Sequence, residues 1–199
     1  MVWINNGYET LDSTSDTLDT TSMTASDFGV FLNHGIPSGG DTQTSYSVNG
    51  VDTGSKYAYR TSKNGAGDIS NTTSQNKVVY DAGGEAYQKF SITYACDITD
   101  QEKLSIGFGM SAKETGAGYA PTRCEVVWKY ETTGARVTAV KDDTSSQSGT
   151  YAIGSYLSAS GDGGTITTTS LNIQANSVFS ESDTGIDYLW NGTAWVQVA

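Results

Sequence analysis

The feature that most constrains this chain is an alternation of apolar and other residues, repeated three times between residues 88 and 130. Successive side chains of a β-strand point to opposite faces, so a period of two predicts strands and not helices. A polar turn at residues 99–101 separates the first two runs, and a Gly-rich loop separates the second from the third. Three consecutive strands of this kind predict one half-buried antiparallel sheet.

The apolar side of these strands is the side that we predict to face the core. Burial of apolar surface is the main driving force of folding, and alternating strands normally turn that side inward. We therefore expect these residues in the core: Phe90, Ile92, Leu104, Ile106, Val126, Trp128, Cys96 and Cys124.

The first residues of the chain contain neither a basic segment nor an apolar run, so we expect no secretory signal peptide. Synthesis in the cytoplasm follows from that expectation, and disulfides are rare there. Cys96 and Cys124 both fall on the apolar side of their strands, which leaves open either a disulfide or two free buried thiols. We favour the free thiols.

Further short β-prone segments flank the central sheet, bounded by Gly, Asn, Asp and Pro. They lie at residues 28–32, 45–60, 78–80, 136–140 and 151–157, and residues 1–27 hold either an edge strand with a loop or an ordered arm. Roughly eight or nine strands without a helical stripe predict an all-β fold. We expect a jelly-roll-like antiparallel β-sandwich, with an immunoglobulin-like sandwich as the alternative.

The character of the sequence changes near residue 160, where a Gly-rich segment and a Thr-rich spacer begin. Asn191-Gly192 then stands between two aromatic-rich segments, which predicts a β-hairpin. We therefore divide the chain into a sandwich with an N-terminal strand or arm (1–160) and a spacer with a C-terminal hairpin arm (161–199). A two-residue loop would set Tyr188 opposite Trp195.

The charge of the chain argues against several partners. It carries 22 acidic and 11 basic side chains, a formal charge of −11. That balance opposes binding to nucleic-acid phosphates and to anionic membrane surfaces. No apolar run reaches the length of a membrane span. We therefore expect no nucleic-acid partner and no membrane partner.

No motif in the sequence predicts catalysis or a metal site. His34 is the only histidine, so a Ser-His-Asp triad has a single candidate base and a Cys/His zinc set cannot be built. We interpret His34 as a loop residue. Calcium remains open, because loop carbonyls and scattered Asp residues can bind it without a linear motif. We expect no enzymatic activity and no cofactor.

Two sets of residues have both a functional and a structural interpretation. Paired carboxylates could hydrolyse a glycoside, but we interpret all three pairs as solvated surface: Asp142 with Asp143, Asp81 with Glu85, and Glu181 with Asp183. Tyrosines could form a sugar-stacking face, but we favour packing for all of them: Tyr57, Tyr59, Tyr80, Tyr119, Tyr151 and Tyr156.

Two parts of the sequence resemble proteins of tailed bacteriophages. Residues 182–196, SDTGIDYLWNGTAWV, resemble an element that recurs in tailed-phage virion proteins. The main body resembles β-rich structural proteins of environmental phages in an ordered series of segments, at residues 16–20, 49–60, 102–104, 116–123 and 125–129. The resemblance implies a structural part of the virion, assembled in the host cytoplasm.

Together with the compact size of the chain and its two terminal segments, which could grip neighbours, this resemblance leads us to expect a head decoration or cement protein. Its partners would be the major capsid protein or other virion proteins, and we expect a homo-oligomer, with a trimer as our guess. The alternative is a tail fibre or adhesin that binds host-cell glycans. We predict that these residues make the contacts: Trp3, Tyr119, Tyr188, Trp190 and Trp195.

Overall fold

The computed structural model describes residues 3–80, 86–144, 148–162, 177–180, 186–191 and 194–198. These residues form β-strands and no helix, which confirms the predicted all-β class. Within these ranges, nothing helical is long and apolar enough to cross a membrane. The contacts divide the chain into two compact units, Met1–Gly164 and Thr165–Ala199.

The strands are short and follow one another closely along the chain. In chain order they are β1 (Ile4–Thr10), β2 (Thr17–Asp19), β3 (Phe28–Gly35), β4 (Pro37–Gly39), β5 (Thr44–Val48), β6 (Tyr57–Lys63), β7 (Ile69–Gln75), β8 (Val78–Tyr80), β9 (Lys89–Cys96), β10 (Lys103–Ser111), β11 (Thr122–Tyr130), β12 (Val140–Asp143), β13 (Thr150–Tyr151), β14 (Tyr156–Gly161), β15 (Val178–Ser180), β16 (Asp187–Trp190) and β17 (Trp195–Val198).

The first unit is built on two antiparallel sheets. The large sheet has eight strands in the order β1-β14-β3-β9-β10-β11-β6-β7, and the small sheet has four in the order β2-β12-β5-β8. Strands β13 and β4 form a separate pair, and the second unit is a three-stranded sheet of β15, β16 and β17. Side chains of the two main sheets meet in one core, as in a β-sandwich.

The predicted strands are largely where the sequence indicates. Strands β9, β10 and β11 are adjacent and antiparallel, as the three alternating runs predict. The N-terminal segment forms two edge strands, β1 in the large sheet and β2 in the small one. The strand predicted at 136–140 is wrong in position, because β12 begins only at Val140. The jelly-roll connectivity stays a prediction.

The predicted facing of β9 and β10 is wrong. Their inner residues are small or polar, whereas Phe90, Leu104 and Ile106 lie on the opposite face and are 41–55% exposed. Ile92 and Cys96 share that face and are half-buried. The predicted core is therefore overturned on these two strands.

Strand β11 has the predicted facing, with Cys124, Val126 and Trp128 all buried. Because Cys96 lies on the outer face and Cys124 on the inner face of the same sheet, the two sulfur atoms are separated by the sheet itself. Both cysteines are free thiols.

The physical reason for the inverted facing is the size of the rings opposite. Tyr46 and Tyr80 come from the small sheet, and their ring centres lie 5.0 Å apart in an edge-to-face arrangement. Both rings are completely buried between the sheets, so the strands beneath them must carry small inner residues. These inner residues are Ser91, Thr93, Ser105, Gly107 and Gly109.

Hydrogen bonds complement this packing. The Tyr46 hydroxyl lies 2.7 Å from Ser91 Oγ, and the Tyr80 hydroxyl lies 2.5 Å from Thr93 Oγ1. Trp128 Nε1 also donates to the Tyr80 hydroxyl at 3.4 Å. A polar inner face on β9 is therefore compatible with burial, because each large ring brings a hydroxyl that pairs with it.

Replacing Gly107 by Ala should destabilise the first unit. A Cβ atom at this position would lie 2.7 Å from Tyr80 Cζ, and Tyr80 is enclosed on all sides. Overpacking of this kind costs about 1–3 kcal/mol of the free energy of unfolding, to be measured by urea denaturation. The matched control is Gly134→Ala, where a Cβ would meet nothing within 4 Å. Equal stability of the two variants would refute the packing argument.

Candidate interaction surface

The most unusual surface of the first unit is the outer face, which we define as the side of β3, β9, β10 and β11 that points away from the small sheet. Its side chains form cross-strand rows in the register of the sheet. The apolar members are Phe28, Val30 and Leu32 on β3, Phe90, Ile92, Tyr94 and Cys96 on β9, Leu104, Ile106, Phe108 and Met110 on β10, and Val127 on β11.

These apolar side chains are open to solvent to an unusual degree. Eight of them are 41–55% exposed, namely Phe28, Phe90, Tyr94, Leu104, Ile106, Phe108, Met110 and Val127. Four strands about 4.8 Å apart and seven residues long make a footprint of about 440 Å² before side-chain relief is added. An apolar patch of this size on a soluble protein commonly marks an interaction site.

Charged residues lie along one border of the outer face. Lys129 on β11 pairs with Glu102 at 2.8 Å. On the same side of β11, Arg123 lies 3.8 Å from Glu125. Apolar side chains thus fill the middle of the outer face, and ion pairs lie along its β11 border.

Shallow depressions interrupt this surface. One of about 250 Å³ lies between β9, β10 and β11, and Phe90, Phe108 and Met110 contribute to its lining. Another of about 390 Å³ lies on the β6 side, lined in part by Ala58 and Val127. Both have largely apolar walls, which suits them to hold side chains of a binding partner.

The predicted contact residues do not form one cluster. Trp3 and Tyr119 belong to the first unit and are 49% and 50% exposed, Trp3 just before β1 and Tyr119 in the loop between β10 and β11. Tyr188, Trp190 and Trp195 belong to the second unit. Their role in binding stays a prediction.

The predicted residue pairing in the C-terminal hairpin is wrong, because the connection between the two strands is longer than predicted. Four residues, not two, connect β16 to β17, so Tyr188 lies opposite Gln197 and Trp190 lies opposite Trp195. The two indole rings pack with their centres 5.5 Å apart. The Asn191 side chain accepts a hydrogen bond from the Ala194 N–H at 2.9 Å, which fixes the wider turn.

The tyrosine predictions have mixed outcomes. Tyr57, Tyr80 and Tyr151 are buried in the core, as predicted. Tyr59 and Tyr156 are half-buried. Tyr119 is the exposed member of the predicted set.

His34 is not a loop residue, which corrects the sequence interpretation. It lies in β3 on the outer face, in the same row as Phe90, and its ring nitrogen contacts the Gln88 side chain. In the part of the chain that the structure describes, no three His, Cys, Asp or Glu residues are grouped so that they could hold a metal ion.

The interpretation of Asp142 and Asp143 as solvated surface is wrong. Asp142 is completely buried and accepts hydrogen bonds from the Tyr151 hydroxyl and the Ser45 N–H, each at 2.6 Å, and from the Asn33 side chain. Asp143 is also buried and pairs with Lys77 at 2.8 Å. The other two carboxylate pairs, 81 with 85 and 181 with 183, lie outside the described residues.

Asp142 has a perturbed acidity for a structural reason. Burial raises the pKa of its carboxyl from 3.8 to about 6, although the hydrogen bonds from Tyr151, Ser45 and Asn33 each act in the opposite direction. The three donors lie on β3, β5 and β13. The Asp142 carboxylate therefore connects both main sheets to the β13 segment. Its position indicates a role in the fold.

No protein-family model, curated protein or solved structure matches this chain. Its function is therefore argued from the surfaces described above and from the resemblance in sequence.

The buried Asp142 should make stability depend on pH. Because the pKa of this group is higher in the folded protein than in the unfolded chain, it stabilises the fold below about pH 4 and loses that contribution as the pH rises through 6. The loss amounts to about 3 kcal/mol of the free energy of unfolding by pH 7. Asp142→Asn should remove this pH-dependent part, measured by urea denaturation between pH 4 and pH 7.

The control for this measurement is Asp12→Asn, since Asp12 is exposed. We expect its stability profile to parallel that of the wild-type chain. Parallel profiles for the wild type and Asp142→Asn would contradict the assignment.

Proposed function

We propose that this chain is a non-enzymatic structural component of a tailed-phage particle, and specifically a head decoration protein that binds the major capsid protein. The observation that carries the assembly role is the apolar outer face of the large sheet. The resemblance of residues 182–196 and of the main body to phage structural proteins supplies the setting.

An apolar face on a regular sheet supports an assembly role for a physical reason. Each half-exposed Leu, Ile, Phe or Met on the outer face keeps apolar area in water, and removing that area gains roughly 25 cal/mol per Å². Contiguous apolar patches of several hundred Å² often mark sites where a protein binds a partner. A protein that assembles onto a particle has a neighbour available to cover such a patch.

The second unit offers a separate surface for attachment. Trp195, Val196 and Val198 on β17 are 38–49% exposed, and Val178 on β15 is 63% exposed. Trp195 and Val196 are consecutive residues of one strand, so they point to opposite faces of this small sheet. A three-stranded sheet with apolar residues on both faces fits a segment that is stabilised by binding a partner.

The net charge supports the same role. A formal charge of −11 on each copy keeps a densely covered particle soluble through mutual repulsion.

Tyr119 favours a second candidate function, that of a tail fibre or adhesin. Its ring is half exposed in the long loop between β10 and β11, where it could stack on a sugar of a host-cell glycan. The two candidates differ in their place on the particle. Decoration requires hundreds of copies on the head, whereas an adhesin requires a few copies at the tail.

The experiment that separates them is a count of the protein on purified particles of the phage that encodes it. Quantitative mass spectrometry gives the copy number, and cryo-electron microscopy gives the position. We expect density of the sandwich over the capsid lattice. Density at the tail alone would transfer the proposal to the adhesin, and absence of the protein from particles would refute both.

Removing residues 165–199 should weaken attachment while leaving the first unit folded. The division of contacts at Gly164 gives the boundary, and the exposed Trp195 is the strongest candidate anchor in the removed part. Loss of one Trp anchor costs about 2 kcal/mol or more, so the dissociation constant should rise at least about thirtyfold, and occupancy at subsaturating concentration should fall in proportion. Occupancy is read by mass spectrometry after the truncated chain is added to particles that lack it.

Two point variants accompany the truncation. Trp195→Ala tests the proposed anchor, and Ile153→Ala is its matched control, since both side chains are exposed and apolar. We expect only the Trp195 variant to lose occupancy. Circular dichroism of the truncated chain checks that its strands persist. Unchanged occupancy of a folded truncated chain would contradict the proposed attachment.

A further inference from the structure

We infer that the outer face binds the outer face of a second copy of this chain, sheet against sheet. The inference deepens the proposed assembly role and rests on it for its biological setting, but self-association can be measured on the purified chain alone.

The charges on this side of the sheet favour a second copy of the chain as the partner. Three ion pairs occupy the outer side of the large sheet and the adjoining loops: Lys129 with Glu102, Arg123 with Glu125, and Arg60 with Asp68. Each pair joins one cation to one anion, so the three pairs add no net charge to this side, although the whole chain carries −11. Two copies therefore repel each other less when they meet through this apolar face than through a more acidic part of the surface.

The same charge balance argues against partners of other chemistry. A strongly basic partner would be attracted by the excess of acidic side chains in the chain rather than by an apolar face whose border charges are paired. A strongly acidic partner would be repelled by the chain as a whole. A neutral, apolar sheet face is matched by another of the same kind.

The size of this surface also fits a dimer. The apolar outer face is four strands wide, and β14 and β6 flank it as a polar rim, so the contact surface from β14 to β6 is six strands wide. With strands about 4.8 Å apart and about seven residues of 3.3 Å each, the footprint is roughly 650 Å² per copy. Two copies would bury about 1,300 Å², which lies within the range of stable, specific interfaces.

The arrangement of side chains on the outer face also fits a protein interface. The two central strands carry only apolar residues on this side, including Ile92, Tyr94, Ile106 and Phe108. Charged residues begin at β11 and continue on β6, where Arg60 faces Val127. An apolar centre with a charged border is the anatomy of a protein interface. A two-fold axis near β9 and β10 would pair the apolar centres and place the charged border of each copy at the rim of the interface.

The test is the mass of the full-length chain in solution, measured by analytical ultracentrifugation over a range of concentrations. We expect a reversible equilibrium between the 21.0 kDa monomer and a dimer of twice that mass. Ile106→Asp places a charge at the centre of the face and should raise the dissociation constant by at least about thirtyfold. The matched control is Ile153→Asp, an equally drastic change at an exposed residue outside the face.

A second variant covers the case in which Ile106→Asp does not fold. Ile106→Thr keeps a β-branched side chain in the strand but removes apolar area from its outer side, and it should raise the dissociation constant about tenfold. Alkylation of the native thiols gives an independent measurement. Cys96 lies on the outer face and should react slowly in the dimer and faster on dilution, whereas Cys124 should stay protected while the chain is folded.

Three outcomes would overturn the inference: a wild-type chain that stays monomeric at all concentrations, association unchanged in both Ile106 variants, or equal loss in Ile153→Asp. A monomer that binds purified phage heads through Ile106 would assign the face to the capsid instead. These results are separate from the particle count, because a monomer found on heads refutes only the dimer. A dimer absent from particles refutes only the phage role.

Discussion

The packing of Tyr46 and Tyr80 between the two sheets is the interaction on which the rest of the structure depends. These rings fill the space above β9 and β10, so the inner residues of those strands must be small, and Gly107 leaves room for the Tyr80 hydroxyl. Every large apolar residue of the two strands is thereby turned outward. The core and the candidate interaction surface are two results of one packing constraint.

The sequence predicts strands well and their facing poorly, for a physical reason. Alternation along residues 88–130 is a local property, and it places β9, β10 and β11 correctly. Which side faces the core depends on the sheet that packs against it, and Tyr46 and Tyr80 are distant in sequence. On β11 the inner side carries Val126, Trp128 and Tyr130, and there the apolar side is buried as predicted.

The candidate surface itself was missed because apolar residues are expected inside. One signal was present: the sides of β9 and β10 opposite the apolar runs consist of Ser, Thr, Gly and Ala95 with single lysines at Lys89 and Lys103. Solvated faces normally carry Glu, Lys and Asn instead. Asp142 was missed for a related reason. Nothing in an Asp-Asp pair shows that Tyr151, Ser45 and Asn33 will converge on one of its members.

The separation of the two faces of β9 and β10 has a consequence for how this protein can change over evolution. The inner side is constrained residue by residue, because a methyl group at Gly107 already meets Tyr80. The outer side chains contribute little to that fit, so they can be exchanged without disturbing the core. Binding specificity can therefore diverge between related chains while the scaffold beneath it stays the same.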